Sequence, residues 1–215
     1  MLTLEEIWPP YALRVTCGDL EMRTVREADV PELVDLVLDG VHPIGSMPFY
    51  FPWTAAPREE LPANYLRFVS GLKANFDTGS PSLELVVRRV GEVVGMQGFG
   101  GKDFKITRTG ETGSWLAMRH QGRGIGTRMR QMICAFAFDV LGAEEITSGA
   151  FEDNPASLAV SRKVGYRPNG TRRLSRQGTV AVLQDLVLTP EDFVRGEPVT
   201  VEGTEPLLRF LELDV

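Results

Sequence analysis

The sequence predicts an α/β (α+β) chain, with one mixed sheet covered by helices. Two observations carry this reading. Segments that alternate apolar and polar residues are interleaved with segments of helical spacing, with no internal repeat and no low-complexity stretch. One pair of strands is joined by a tight turn and one strand–helix–strand unit follows, so the sheet must hold both antiparallel and parallel neighbours.

The elements follow in order. "LEMRTV" (20–25) alternates as a first strand. "DVPELVDLVLDGV" then reads as a helix, with Asp29 as its N-cap. A Pro- and aromatic-rich loop occupies 42–57, and a second helix is expected from about Arg58 to Phe76. "LELVVRRVGEVVGMQGF" (83–99) is a strand, a turn near Gly91 and a second strand. "GETGSWLAM" (110–118) is a further strand. It leads through a glycine-rich stretch into a helix that ends near Leu141, with Gly142 as its C-cap. "EEITSGAF" (144–151) is a strand, "NPASLAVSRKVG" (154–165) a short helix and "TVAVLQDLVL" (179–188) a strand.

Composition narrows the function. The chain has 215 residues, 43% of them hydrophobic and 24% charged, which suits one globular domain with extensions. No apolar run approaches the roughly 20 residues of a membrane span. The first residues, "MLTLEEIWPPYALRV", are acidic where a signal peptide is basic. Only Cys17 and Cys134 occur, so a reduced, cytoplasmic protein is expected. A net charge of −6 argues against a nucleic-acid partner, and no metal is expected.

The chemistry concentrates in "RHQGRGIGTRMRQM" (119–132), where Gly122, Gly124 and Gly126 stand at the mouth of a helix. Ile125, Met129, Met132, Ile133, Phe136 and Val140 share one face of that helix, as packing on a sheet requires. The first N–H groups of a helix have no intrahelical partners, and together with the helix dipole they favour an anion. Glycines admit the backbone close to that anion and tolerate positive φ. Arg119, Arg123 and Arg128 add positive charge. The stretch reads as a phosphate cradle, or as a plain turn from strand to helix. A P-loop requires Gly-Lys-Ser/Thr, which is absent. A dinucleotide fingerprint would use Gly122 and Gly124 with Glu144 or Glu145, but Thr127 replaces its third glycine. The acyl-CoA pyrophosphate loop, Q/R-x-x-G-x-G/A, is matched fully by Gln121, Gly124 and Gly126.

Four stretches carry a resemblance. They are "READVPELVDLV", "GETGSWLAMRHQGRGIGTRM", "EDNPASLAVSRKVGYRPNGTRR" and "LVLTPEDF". Together they resemble the GCN5-related N-acetyltransferase (GNAT) superfamily, in the subgroup of the ribosomal-protein N-terminal acetyltransferases (RimJ/RimL-like). The likeness spans roughly 20–194, leaving 1–19 as an N-terminal extension and 195–215 as a C-terminal tail. It implies a mostly antiparallel sheet whose two central parallel strands splay apart, with acyl-CoA in the gap. It implies that Leu116, Ala117 and Met118 lend backbone groups to the pantetheine arm. The loop Gln121, Gly122, Arg123, Gly124, Ile125, Gly126 and Thr127 would take the pyrophosphate, and Asn154 would contact the cofactor.

The implied reaction is direct transfer of an acyl group, acetyl first, from CoA to a primary amine on a small molecule, peptide or protein. The amine must be neutral to attack. An α-amine, with pKa about 7.7–8.0, needs little help, whereas a lysine near 10.4 needs a base. The match puts Ser157 at the departing thiolate and Glu111 at the amine proton, although each also fits a structural part. Asn154 is an ordinary helix cap and Glu111 an ordinary strand-end charge. Ser114 stands where the subgroup usually has an aromatic residue, which concerns the acceptor pocket. Met47, Phe49, Tyr50 and Trp53 in the 42–57 loop are candidates to wall that pocket, or core beneath a long loop. A succinyl donor is the alternative, and it would require a cation facing the acyl tail. A non-catalytic acyl-CoA sensor and, more distantly, an NAD-binding oxidoreductase are the other classes. Cys134 reads as packing and Tyr166 as core. The apolar end "PLLRFLEL" must fold back or pack on a partner, and a homodimer or higher homo-oligomer through this tail is expected.

Overall fold

The computed structural model describes residues 1–213. A short helix α1 (Leu4–Ile7), capped by the Thr3 hydroxyl, precedes the hairpin β1 (Arg14–Cys17) and β2 (Leu20–Thr24). Helices α2 (Val30–Asp39) and α3 (Leu61–Ala74) follow, then β3 (Ser82–Arg89) and β4 (Glu92–Gly100). A single turn of helix, α4 (Phe104–Thr107), leads into β5 (Thr109–Leu116), α5 (Ile125–Asp139), β6 (Glu145–Phe151) and α6 (Pro155–Val164). The chain closes with β7 (Arg167–Arg176), β8 (Thr179–Leu188), β9 (Thr200–Glu202) and α7 (Thr204–Phe210).

One nine-stranded sheet runs in the order β7-β8-β6-β5-β4-β3-β2-β1-β9. Its pairs are antiparallel except β5 with β6. That parallel pairing covers only Thr109–Glu111 against Glu145–Thr147. Beyond it β5 continues along β4 as far as Leu116, and β6 continues along β8 as far as Phe151. Each strand keeps its outer neighbour, so the two part from one another as the resemblance implied.

The sheet separates two cores. On one face β2, β3 and β4 pack against α5, α6 and α7 through residues such as Met22, Leu85, Phe99, Met132, Phe136 and Leu207. On the other face α2 and α3 pack Leu33, Val37, Tyr65 and Val69 on Val86 and Met96. Asp29 occupies the N-cap position of α2 but does not cap it. Its buried carboxylate is taken by Arg23, Arg88 and the Arg26 N–H instead. A buried charge is costly unless paired, so two guanidiniums outcompete a helix N–H here.

Several expectations at the ends of the chain are corrected. Helix α5 begins at Ile125 and is buried nearly all round, not on one stripe. The segment after β8 covers its outer side, with Phe138 against Phe193 at 5.5 Å, Gln131 Nε2 donating to the Val194 carbonyl, and Arg195 paired with Asp139. Residues 14–17 lie inside the sheet, between β2 and β9. The C-terminal apolar residues Leu207, Leu208, Leu211 and Leu213 are buried in the main core of the same chain, and Phe210 packs on Trp8 and Phe76. The apolar surface the tail needs is thus its own chain's, and the reason for expecting a second subunit there is removed. The last two residues of that tail lie outside the described residues. Strand β7 gave no sequence signal because it is exposed along nearly its whole length and polar on both faces.

Candidate active site

The glycine-rich stretch forms the loop between β5 and α5. Gly122 and Gly124 have φ of +72° and +79°, and a Cβ at either would meet nothing within 4 Å. Left-handed backbone with open space above it is what a cradle needs and what a Cβ-bearing residue would spoil. Gly124 is the N-cap of α5 and makes no side-chain cap, so the first N–H groups of the helix face this opening. Gly126 differs, since a Cβ there would make ordinary contacts of 3.5 Å with Leu116 and 3.6 Å with Val160.

The three arginines expected to serve the cradle divide. Arg119 is held by Asp39 and Glu92, and Arg128 by Asp19 and the Cys17 carbonyl. Arg123 is exposed and makes no ion pair among the described residues. The Gln121 side chain turns inward, its Nε2 donating to the Val41 carbonyl at 3.0 Å and to the Leu116 carbonyl at 2.9 Å, which fixes the base of the loop.

The strand "SWLAM" ends earlier than expected. β5 stops at Leu116, and Met118 opens a 3-10 turn. The Ala117 N–H donates to the Val94 carbonyl and the Met118 N–H to the Gly40 carbonyl. Backbone direction alternates along a strand. It follows that Thr112, Ser114 and Leu116 turn their backbone groups toward the gap. The Thr112 carbonyl there accepts from Ser148 Oγ at 3.0 Å, and the Leu116 carbonyl from Gln121.

On the α5 side of this gap lies a residue that sequence reasoning missed. Arg130 is 4% exposed. Its guanidinium donates to Ser148 Oγ at 3.2 Å and to Ser114 Oγ at 3.0 Å, and it lies 5.8 Å from the centre of the Tyr166 ring. It has no carboxylate partner among the described residues, and its Nε has no hydrogen-bond partner. Ser114 therefore faces α5 and not the aromatic pocket to which the sequence assigned it. Tyr166 Oη and Thr112 Oγ1 are 2.8 Å apart, with Cys134 Sγ 3.5 Å from the same hydroxyl. Burial pushes the Cys134 thiol up to about 11, so it is neutral near pH 7 and unsuited to nucleophilic attack.

The opposite face carries Glu111, Gly113 and Trp115. Glu111 is exposed and makes no ion pair among the described residues. Arg172 is held by Asp185, which raises its pKa, with a smaller contribution from the nearby Glu111 carboxylate. The 42–57 loop divides here. Phe49 and Trp53 join Tyr65 and Trp115 in an aromatic wall with centroid separations of 5.1 to 6.5 Å, whereas Tyr50 is exposed and Met47 buried. The Met47 carbonyl accepts from Arg176 of β7, which ties the loop to the β7–β8 hairpin.

A second missed residue is Glu84 on β3. It stands in register with Gly98 of β4, which stands in register with Gly113 of β5. Its carboxylate lies over Gly98, 2.5 Å from where a Cβ would be. Burial pushes it up to about 7 from its ordinary 4.5. The available signal was the pair of glycines inside strands, which mark close approach. For Arg130 the signal was its helical spacing from the apolar Ile133 and Cys134.

At the start of α6, Asn154 Oδ1 accepts from the Ser157 N–H at 3.1 Å, so the asparagine does cap the helix. The Ser157 hydroxyl is partly exposed and makes no hydrogen bond among the described residues.

Known proteins share this fold. The acetyltransferase (GNAT) domain profile matches residues 19–167. Mycobacterium smegmatis RimJ in complex with CoA-disulfide is 23% identical, covering 94% of this chain and 95% of its own, with a TM-score of 0.69. RimL, a ribosomal L7/L12 alpha-N-protein acetyltransferase solved with coenzyme A, is 21% identical over 80% of this chain and 95% of its own, with a TM-score of 0.66. A spermidine N-acetyltransferase chimera from Vibrio cholerae and hSSAT is 17% identical over 80% and 96%, with a TM-score of 0.60. At these identities the solved structures show a common fold, and the domain match over residues 19–167 shows more: this chain belongs to the GNAT acetyltransferase family.

Proposed function

We propose that the chain is an acyl-CoA-dependent N-acyltransferase that moves an acyl group to a primary amine by direct attack. The observation that carries this is the open glycine loop at the head of α5, set at the point where β5 and β6 part. The residues Gln121 to Thr127 take the pyrophosphate on backbone N–H groups, with Arg123, which has no ion pair among the described residues, as the nearby cation. Leu116, Ala117 and Met118 line the pantetheine arm, with Leu116 closest to the gap, and Asn154 contacts the cofactor from α6.

The amine, once neutral, attacks the thioester carbonyl. A C–N bond forms, the C–S bond breaks, and the sulfur leaves as thiolate. Ser157 Oγ–H supports that thiolate, and Glu111 takes the amine proton through water. Trp53, Phe49 and Trp115 wall the acceptor side. The RimL and RimJ likeness favours a peptide or protein α-amine, which is already substantially neutral near pH 8. Such an activity belongs in the cytoplasm, where acyl-CoA is made and used. The test is a calorimetric titration with CoA, followed by free-thiol release from acetyl-CoA over a panel of amines. CoA binding without thiol release from any amine would make the protein a sensor.

Arg130 favours a second reading for the donor. A cation beside the acyl seat suits an acyl group that ends in a carboxylate, such as succinyl. Comparing succinyl-CoA with acetyl-CoA in the same assay decides between them, and Arg130→Met should remove any preference for succinyl.

A further inference from the structure

Glu84 is a carboxylate without a counter-ion. Among the described residues it makes no ion pair and its side chain makes no hydrogen bond, although it is largely covered. The contrast with Asp29 is direct, because that buried carboxylate has two arginines. The surroundings of Glu84 offer no substitute. Lys73 of α3 is engaged by Glu27 at 3.3 Å and lies 5.8 Å from the centre of the Tyr11 ring. Tyr65 of α3 gives its hydroxyl proton to Met96 Sδ. Glu111 on β5 carries the same sign of charge as Glu84.

What Glu84 does face is empty floor. Three cross-strand rows lie on this side of the sheet: Ser82, Gly100 and Glu111; Glu84, Gly98 and Gly113; Val86, Met96 and Trp115. The middle row has a carboxylate at one end and no side chain over the next two strands. The Glu84 carboxylate already covers Gly98, whereas a Cβ on Gly113 would meet nothing within 4 Å. Adjacent strands are roughly 4.8 Å apart, so a group resting over Gly113 is within reach of the Glu84 carboxylate, directly or through one water. Gly113 belongs to the part of β5 that has left β6, beside the gap assigned to the thioester. Trp115 and Tyr65 wall the next row, a surface that suits the carbon chain of an amine.

We propose that Glu84 seats the acceptor's amino group over the floor made by Gly98 and Gly113, and takes its proton before transfer. This deepens the acyltransferase reading and rests on it. The ammonium arrives charged and gives one proton to the Glu84 carboxylate. The neutral nitrogen then attacks the thioester carbon, the C–S electron pair leaves on sulfur, the second nitrogen proton passes through water to exposed Glu111, and Glu84 releases its own proton to solvent. Its raised pKa, near 7, fits this task, since a base poised near working pH accepts and releases a proton with equal ease.

The test uses the full chain, with butylamine, diaminobutane and a tetrapeptide with a free N-terminus as probes. Each is titrated into CoA-loaded protein by calorimetry, then assayed for thiol release from saturating acetyl-CoA. Glu84→Gln should weaken binding of every amine the wild type binds. It should also lower kcat/KM for the amine by about 10²-fold or more, with CoA affinity unchanged, and remove the acid limb near pH 7 from the kcat/KM profile. Gly113→Ala, which meets no neighbour and should fold normally, should raise KM for the amine and leave CoA affinity alone. A Glu84→Gln enzyme with wild-type amine affinity and an intact acid limb overturns the proposal. So does a wild type that binds none of the amines. CoA-loaded wild type that binds amines but releases no thiol overturns the acyltransferase reading, while the seat is still judged by the loss of amine binding in Glu84→Gln.

Discussion

The two faces of β5 are built by opposite rules. Toward α5, Thr112 and Ser114 meet Tyr166, Ser148 and Arg130 in a hydrogen-bonded layer, where each of these hydroxyls has a partner and the helix above is buried nearly all round. Toward α2 and α3, the face that carries Glu111, Gly113 and Trp115 has an aromatic wall, a glycine floor and, in Glu84, a carboxylate with no ion pair among the described residues. Arg130 on one face and Glu84 on the other make no ion pair among the described residues, and the parted strands lie between them. A core built for stability alone would have paired these charges or left them out. On the proposed reading, this difference makes the sheet a divider between a donor side and an acceptor side.

The largest test breaks the donor side at its entrance. Gly124→Asp sets a carboxylate and a Cβ at φ +79°, where the cradle is open. CoA affinity measured by calorimetry should fall by at least about 100-fold with the circular-dichroism spectrum unchanged. Wild-type affinity in a folded Gly124→Asp protein would remove this loop from the CoA site.

The next test sharpens the division of labour at the sulfur. Ser157→Ala should lower kcat by about 10²-fold and leave acyl-CoA affinity unchanged, because the hydroxyl matters only as charge builds on the leaving group. Full kcat in that variant takes the serine out of the reaction, and trapping of an acyl group on Cys134 or Cys17 would replace direct transfer.

The core on the α5 side can be tested through the C-terminal segment buried in it. Leu211 is fully buried in that core. Leu211→Ala should cost about 2–5 kcal/mol in chemical denaturation, with the mass by light scattering unchanged. A variant that keeps its stability but changes its mass would return the tail to the role of an assembly element.

The smallest effect concerns the acceptor side and has a definite sign. The Glu84 carboxyl is pushed up to about 7 in the fold from an ordinary 4.5. A raised carboxylate favours the folded state only while protonated, so stability falls as pH rises from about 4.5 to 7 and stays low above it. Glu84→Gln removes that cost, at most about 3 kcal/mol. The variant's melting temperature should exceed that of wild type at pH 8 and match it near pH 4.5. Equal melting temperatures at pH 8 would mean that the carboxylate is solvated after all.

The sequence by itself determined the elements whose physics is local. The glycine loop was legible because backbone freedom, a helix N-terminus and the Gln121–Gly124–Gly126 spacing all lie within a few residues. Asn154 was legible as a cap for the same reason, as were the apolar positions of α5 that rest on the sheet. What the chain folds over itself was not legible. The apolar C-terminus told of a missing surface, and only packing against Trp8, Phe76 and the main core showed that the surface is its own. Ser114 was assigned to the pocket by its place in the family match, yet strand alternation turns it to Arg130 and leaves Trp115 on the other face. Glu84, Gly98 and Gly113 lie far apart along the chain and become one row only through the registers of β3 with β4 and of β4 with β5. A slip of one residue in either pairing would send Glu84 to the other face from the glycines, and register is set by the whole buried face and not by any short stretch.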